Sequence, residues 1–134
     1  MRALALDPVA RTQPLRLLIV DDSNVMRRRI ERSQQLAQLQ VVGTAADGRE
    51  ALDLFLKTDP DVVTMDITMP HMDGIECVER LVQMKPGVLI LIISALADKA
   101  TAVAAMEKGA NGFLNKPFSD RQLNEALAEL LGEA

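Results

Sequence analysis

Short apolar runs alternate with longer segments of helical periodicity along most of the chain, and this alternation constrains the fold more than any other feature. Five runs are predicted to be strands: 15–20, 40–45, 61–65, 88–93 and 112–115. Each is followed by a segment whose apolar residues recur at helical spacing. Because parallel strands need a crossover connection, strict alternation predicts an α/β fold with helices on both faces of a parallel sheet.

The segments between the strands carry start and stop signals for helices. Helices are predicted over 23–38, 49–58, 74–84 and 97–108, and from the Ser119 cap to about residue 131. Ser119 and Gln122 have capping-box spacing, and Gly109 takes the position of a C-terminal cap. In the first two helices, the residues expected to face the core are Val25, Met26, Ile30, Leu36, Ala51, Leu52, Phe55 and Leu56.

Composition and charge exclude several classes of protein. The 134 residues fit one domain, and 49% hydrophobic with 25% charged residues is a globular composition. A net charge of -4 argues against direct nucleic-acid binding. No apolar stretch approaches the roughly 20 residues that cross a bilayer, so no membrane insertion is expected. The single cysteine, Cys77, excludes a disulfide framework, and a cytoplasmic location is expected.

The first residues differ from the rest. Residues 1–14 contain Pro8 and Pro14 and show no clear period, so a flexible N-terminal tail is predicted. Residues 15–131 are predicted to form the folded domain, with no linker leading to a second one.

Polar residues follow four of the five predicted strands. Asp21 and Asp22 follow the first strand, Asp66 follows the third, Ser94 ends the fourth, and Lys116 comes after the fifth. Ligands of open α/β sheets bind outside the carboxyl ends of the strands. We therefore expect these five residues to meet at one edge.

The chemistry of this set indicates a cation and a phosphoryl group. Three carboxylates in proximity repel one another unless a cation lies among them, and an all-oxygen site suits Mg²⁺. Zinc is disfavoured because no Cys or His is placed to help. Lys116 and Ser94 are suited to bind phosphoryl oxygens. A carboxylate can itself be the nucleophile in phosphoryl transfer, and Asp66 is the best candidate.

Four motifs together resemble the response-regulator receiver domain of two-component signalling: "IVDDS", "DVVTMDITMPHMDG", "LIISA" and "GFLNKPF". The resemblance extends from residue 15 to about 131. The segment "VDDSNVMRR" is most similar to the chemotaxis-type stand-alone receivers, known as CheY-like. The fold implied is a doubly wound, flavodoxin-like (βα)5 fold with strand order 2-1-3-4-5.

The resemblance implies a role for each site residue. Asp66 would accept a phosphoryl group from a phosphohistidine of a sensor histidine kinase or a histidine phosphotransfer protein. Asp22 and Asp66 would bind Mg²⁺ through their side chains, Thr68 through its backbone carbonyl, and Asp21 through water. Ser94 would hydrogen-bond the phosphoryl group, and Lys116 would pair with it.

The resemblance also implies a switch and an output. Phe113 occupies the aromatic switch position, where the ring turns inward as Ser94 moves. This motion would change the face formed by the fourth helix, fifth strand and last helix, which would bind a downstream protein. The implied state is a monomer or a weak phosphorylation-dependent dimer. Catalysis would be limited to the chain's own phosphorylation and dephosphorylation.

Two departures from well-known family members affect these expectations. Phe113 replaces a tyrosine, so a partner contact that needs the ring hydroxyl is not expected. Thr68 and Leu96 lie two residues beyond Asp66 and Ser94, and neither offers a carboxylate or an amide to orient a water molecule. Slow self-dephosphorylation is therefore expected.

Alternative functions remain open to different degrees. A phosphatase with an aspartyl nucleophile would need a second Asp where Thr68 stands, and a nucleotide-binding flavodoxin-like protein would need a glycine-rich loop after the first strand. A scaffold that acts without phosphorylation, a phosphorelay shuttle and a phosphate sink are compatible with the residues. The triplet Arg27, Arg28 and Arg29 is either a solvated helix face or, as the resemblance implies, a docking surface for an acidic partner.

Overall fold

The predicted alternation of strands and helices is confirmed. The computed structural model describes residues 14–68, 73–95 and 99–132. The strands are β1 Leu15–Val20, β2 Leu39–Ala45, β3 Val62–Met65, β4 Leu89–Ser94 and β5 Gly112–Asn115. The helices are α1 Asn24–Ser33, α2 Gly48–Thr58, α3 Gly74–Met84, α4 Lys99–Glu107 and α5 Asp120–Leu130. None of the described helices is long and apolar enough to span a membrane.

The five strands form one parallel sheet in the order β2-β1-β3-β4-β5. This order confirms the predicted doubly wound fold. Val20 pairs with Met65 in the central register, and the Asp66 N–H donates to the Val20 carbonyl at 3.0 Å. The chain therefore leaves β1 and β3 side by side, immediately before Asp21 and Asp66.

Two apolar layers cover the sheet. The layer on one face is built with α2, α3 and α4, through residues such as Phe55, Leu81 and Ala105. The layer on the other face is built with α1 and α5, through residues such as Ile30 and Leu127. Every residue of β3 and β4 is buried, as expected for strands that are covered on both faces.

The predicted helix boundaries are confirmed in part. The Ser23 hydroxyl accepts a hydrogen bond from the Met26 N–H at 3.1 Å, and Ser119 and Gln122 form the predicted capping box. Gly109 has a φ of 118°, the left-handed conformation expected at a helix end. However, α1 ends at Ser33 and not at residue 38, because Gln34 leaves the helix in an extended conformation.

Two residues predicted to face the core do not. Val25 is 75% exposed and Leu56 is 73% exposed. Val25 lies one position from Met26, and Leu56 lies one position from Phe55; Met26 and Phe55 pack against the core. A residue one position away lies about 100° around the helix. The spacing of apolar residues alone does not distinguish the buried side of a helix from the exposed residues next to it.

Thr64 gives a test of how the central strand is stabilised. Its side chain is buried in β3, and among the described residues its hydroxyl has no hydrogen-bond partner. Thr64→Val keeps the shape and removes the unsatisfied group, so we expect the free energy of unfolding to rise by about 1 kcal/mol. Urea titration followed by far-UV circular dichroism measures this change.

The matched control is Thr58→Val. The Thr58 hydroxyl donates to the Leu54 carbonyl at 2.7 Å, so its removal should leave stability unchanged or lower. Equal losses of stability in the two variants would show that the Thr64 hydroxyl does have a partner in solution, such as a buried water molecule.

Candidate functional site

The carboxyl ends of four strands bring the predicted site residues to one edge of the sheet. Asp21 and Asp22 follow β1, Asp66 follows β3, and Ser94 is the last residue of β4. Lys116 follows β5, and its backbone N–H donates to the Ser94 carbonyl at 3.0 Å. Residues that are up to 95 positions apart in the sequence thus become neighbours.

A buried lysine joins two of the carboxylates. The Lys116 Nζ lies 2.7 Å from the Asp21 Oδ2 and 3.3 Å from the Asp66 Oδ2. The lysine side chain is 17% exposed, and the two aspartate side chains are 1% and 4% exposed. Lys116 is predicted from the sequence to bind a phosphoryl group, and in the structure it pairs with the protein's own carboxylates.

The two partners respond differently to this burial. Burial raises the pKa of Asp21, and the hydrogen bond and charge of Lys116 offset that rise only in part. For Lys116, burial acts to lower the pKa, but the hydrogen bonds and charges of Asp21 and Asp66 outweigh it and the pKa is raised. The lysine is therefore firmly protonated, while its hydrogen bond and charge offset only part of the cost of burying the Asp21 carboxylate.

The second oxygen of Asp66 is bound by Thr68. The Thr68 N–H and the Thr68 hydroxyl donate to the Asp66 Oδ1 at 3.0 and 2.9 Å. The sequence predicts that the Thr68 carbonyl binds Mg²⁺ and that the Thr68 side chain cannot orient a water molecule. It does not predict this contact with Asp66. The signal was present, because a carboxylate two residues before a threonine can accept such local bonds. Both oxygens of Asp66 thus have a donor.

Two further contacts hold the loop after β1. The Asp21 Oδ1 accepts from the Ser23 N–H at 2.9 Å, and the Asp21 carbonyl accepts from the Arg27 Nη1 at 2.6 Å. Arg27 was predicted to be on a solvated or docking face. It is instead partly buried and braces the loop that carries Asp21 and Asp22.

A glycine allows α3 to begin directly beside Asp66. A Cβ atom at Gly74 would lie 2.3 Å from the Ile67 Cα and 2.8 Å from the Asp66 carbonyl oxygen. Such contacts are impossible without a backbone shift, so only glycine fits. The Asp73 side chain caps the helix by accepting from the Ile75 N–H at 2.9 Å.

The carboxylates fit the chemistry of Mg²⁺. Asp21, Asp22 and Asp66 each offer an oxygen atom, and these atoms lie within 4.8 Å of one another. Asp22 is exposed to solvent, whereas the other two are buried. Oxygen ligands with open access to water on one side suit Mg²⁺, which keeps several of its water molecules.

The two predicted switch residues, Ser94 and Phe113, lie on the paired strands β4 and β5. Ser94 is fully buried. Phe113 is half-buried and packs against the apolar layer of α2, α3 and α4. The motion itself stays a prediction. Leu96, which was considered together with Thr68, lies outside the described residues.

Comparison with known proteins agrees with this geometry. A family model described as "Response regulator receiver domain" matches residues 17–128. The chemotaxis protein CheY of Thermotoga maritima is 39% identical over 112 residues, which are 84% of this chain and 93% of that protein. CheY of Listeria monocytogenes is 39% identical over 113 residues, 84% of this chain and 95% of that protein.

A solved structure gives the same result in three dimensions. The crystal structure of the CheX-CheY-BeF3-Mg²⁺ complex from Borrelia burgdorferi has a chain with a TM-score of 0.83 and 31% identity to this chain. The match covers 88% of this chain and 90% of that one. The fold and the strand-edge site thus define a receiver domain, and the chain belongs to the response regulator receiver domain family. Within that family it is CheY-like.

The lysine bridge predicts a pH-dependent stability. Lys116→Met leaves Asp21 and Asp66 buried without their cation, so we expect the free energy of unfolding at pH 7 to fall by about 3 kcal/mol. With the lysine gone, the pKa of Asp21 rises further, because the hydrogen bond and charge of Lys116 that lowered it are lost and only the hydrogen bond from the Ser23 N–H remains to lower it. The folded chain then binds a proton more tightly than the unfolded chain, so stability should recover as the pH falls from about 7 toward about 5.

Urea titrations across this pH range measure the effect, and Lys85→Met is the control. Lys85 pairs with Asp59 and Asp61, whose side chains are 81% and 32% exposed. Its loss should lower stability by no more than about 1 kcal/mol and should show no recovery in acid. A deficit of Lys116→Met that is the same at every pH would contradict the prediction.

Proposed function

We propose that this chain is a response regulator in which Asp66 accepts a phosphoryl group, with Mg²⁺, from a phosphohistidine. One observation carries the proposal: the Asp66 carboxylate lies at the carboxyl edge of the sheet beside two further carboxylates and a protonated lysine. A structural ion pair alone would not need the third, solvent-exposed carboxylate of Asp22.

The proposed reaction is a direct transfer. A carboxylate oxygen of Asp66 attacks the phosphorus atom and forms a P–O bond, while the P–N bond of the phosphohistidine breaks. The imidazole leaves with the electron pair of that bond and takes up a proton from solvent. The result is an aspartyl-phosphate, which is a mixed anhydride.

The remaining site residues provide positive charge and hydrogen bonds. Asp21, Asp22, Asp66 and the Thr68 carbonyl would hold Mg²⁺, which neutralises charge on the phosphoryl oxygens. The Lys116 ammonium would move from its two carboxylates to a phosphoryl oxygen. The Ser94 hydroxyl would donate to another phosphoryl oxygen, and the Phe113 ring would follow the space that Ser94 leaves.

The donor is a sensor histidine kinase or a histidine phosphotransfer protein, and we propose that it docks on α1. This helix presents Val25, Arg28 and Arg32 at its surface, beside the loop of Asp22. The groove along Val25, Arg28, Arg29, Arg32 and Ser33 has a volume of about 340 Å³. Val25 could pack against an apolar side chain of the partner, and Arg28 and Arg32 could pair with carboxylates around that side chain.

The output surface that we propose is the face of α4, β5 and α5. Val103 and Met106 of α4 are 47% and 42% exposed, which gives this face apolar contact area for a downstream protein. The chain would act as a monomer or as a weak dimer that depends on phosphorylation.

The relatives support a chemotaxis-type role, since the CheY proteins that resemble this chain are named for chemotaxis. We propose that the chain acts in the cytoplasm. A CheY relative has been crystallised with CheX, BeF3 and Mg²⁺, which supports a magnesium site and a protein partner here. We propose no reaction on external substrates; the chain would catalyse only its own phosphorylation and dephosphorylation.

Phosphorylation is tested by intact mass. In Mg²⁺ and acetyl phosphate, the wild-type chain should gain the mass of one phosphoryl group, and Asp66→Asn should gain none. Asp53→Asn, an exposed change on α2, is the matched control and should behave as wild type. If the wild type gains no mass even with histidine kinases supplied, the scaffold without phosphorylation replaces this proposal.

The lifetime of the phosphoryl group is tested by decay after the donor is removed. A Thr68→Asn, Leu96→Glu variant supplies groups that can orient water, so decay should be about tenfold faster, the effect of ~1.4 kcal/mol in the transition state. Thr68→Val removes the hydroxyl but adds no orienting group, and it should not reproduce the acceleration. Equal lifetimes of the wild type and the double variant would contradict slow self-dephosphorylation.

A further inference from the structure

Arg29 links α1 to the loop between β5 and α5. Its guanidinium carbon lies 4.6 Å from the centroid of the Phe118 ring. Its Nη2 donates to the Phe118 carbonyl and lies 3.9 Å from the Asp120 carboxylate. These contacts join residues 89 positions apart in the chain.

The anchored loop is the one that carries Lys116. Phe118 lies two residues after Lys116, is buried, and precedes the Ser119 cap of α5. On the other side, the Lys116 N–H is held by the Ser94 carbonyl at 3.0 Å. The backbone of Lys116 is thus fixed between a sheet hydrogen bond and the Arg29 contact, and this backbone sets where the ammonium can reach.

A guanidinium suits this task better than another cation. It is planar and keeps its charge, so it can stack on a ring with its face and donate hydrogen bonds from its edge at the same time. The more distant pair with the exposed Asp120 adds little, because surface ion pairs are weak. The contact with Phe118 is therefore the main interaction between Arg29 and the loop after β5.

We propose that Arg29 is a positioning residue for Lys116: it holds the loop after β5 so that the ammonium stays at the site of phosphoryl transfer. The inference deepens the proposed function and rests on it. It also divides the arginine triplet by task, because Arg27 holds the loop after β1, Arg29 holds the loop after β5, and Arg28 faces solvent.

Lys116 has two effects that should change in opposite directions when the loop is loosened. In transfer, a displaced ammonium stabilises the phosphoryl oxygens less well, so the rate with acetyl phosphate should fall about threefold to tenfold in Arg29→Leu. In Mg²⁺ binding, the ammonium competes for Asp21 and Asp66. Affinity for Mg²⁺ should therefore rise about twofold to threefold.

Full-length chains are compared in two measurements. Intact mass against time gives the rate with acetyl phosphate at saturating Mg²⁺, and isothermal titration calorimetry gives the dissociation constant of Mg²⁺ without a phosphodonor. Arg49→Leu is the matched control, because it removes the same charge from an exposed position on α2 but not the Phe118 contact. It should change neither quantity by as much.

The outcomes separate this inference from the proposed function. Slower transfer with tighter Mg²⁺ binding in Arg29→Leu alone supports it. Loss of both properties indicates general damage to the site and overturns it, as does a profile shared with Arg49→Leu or unchanged from the wild type. If the wild type is not phosphorylated at all, the proposed function fails, and this inference fails with it.

Discussion

The contact on which the rest of the site depends is the Lys116 ammonium between the carboxylates of Asp21 and Asp66. Two buried carboxylates side by side would repel each other and each would lose its hydration. The lysine makes their burial possible, and burial in turn raises the pKa of Asp21 despite the lysine. Because the lysine offsets only part of the burial cost at Asp21, a divalent cation beside this carboxylate would lower that cost further.

The fold supplies this contact through the order of its strands. With β1, β3, β4 and β5 adjacent in the sheet, every residue that follows one of these strands emerges at the same edge. Gly74 then lets α3 begin against the backbone of Asp66, and Thr68 binds the acceptor oxygen that the lysine leaves. The Asp66 carboxylate is thus held in one orientation, which would lower the entropy lost in the proposed transfer.

Most of the fold and the location of the site were predictable from the sequence, because strand ends are set by local patterns. Asp21, Asp66 and Lys116 could be placed at one edge from the rule for parallel sheets alone. Their mutual pairing could not, since a resemblance to the receiver family describes the phosphorylated site and its Mg²⁺.

What the sequence did not predict depends on the orientation of whole helices. Whether Arg29 points to solvent or to Phe118 is decided by how α1 packs beside α5, and no pattern within "MRRRIE" contains that information. Val25 and Leu56 are predicted to face the core because each is apolar and lies one position from a residue that packs there, Met26 or Phe55. The periodicity of apolar residues predicts that a helix has a buried side, but it does not predict which residues at the border of that side are exposed.

The ion pairs of Lys116 span 95 and 50 residues of sequence, to Asp21 and Asp66 respectively. Only fragments that include residues 21–116 contain all three groups. If Asp66 carries the phosphoryl group, only folded chains that include residues 21–116 can be phosphorylated. Incompletely synthesised or damaged chains would not react with the phosphodonor. Every phosphorylated molecule in the cell would therefore be a folded one.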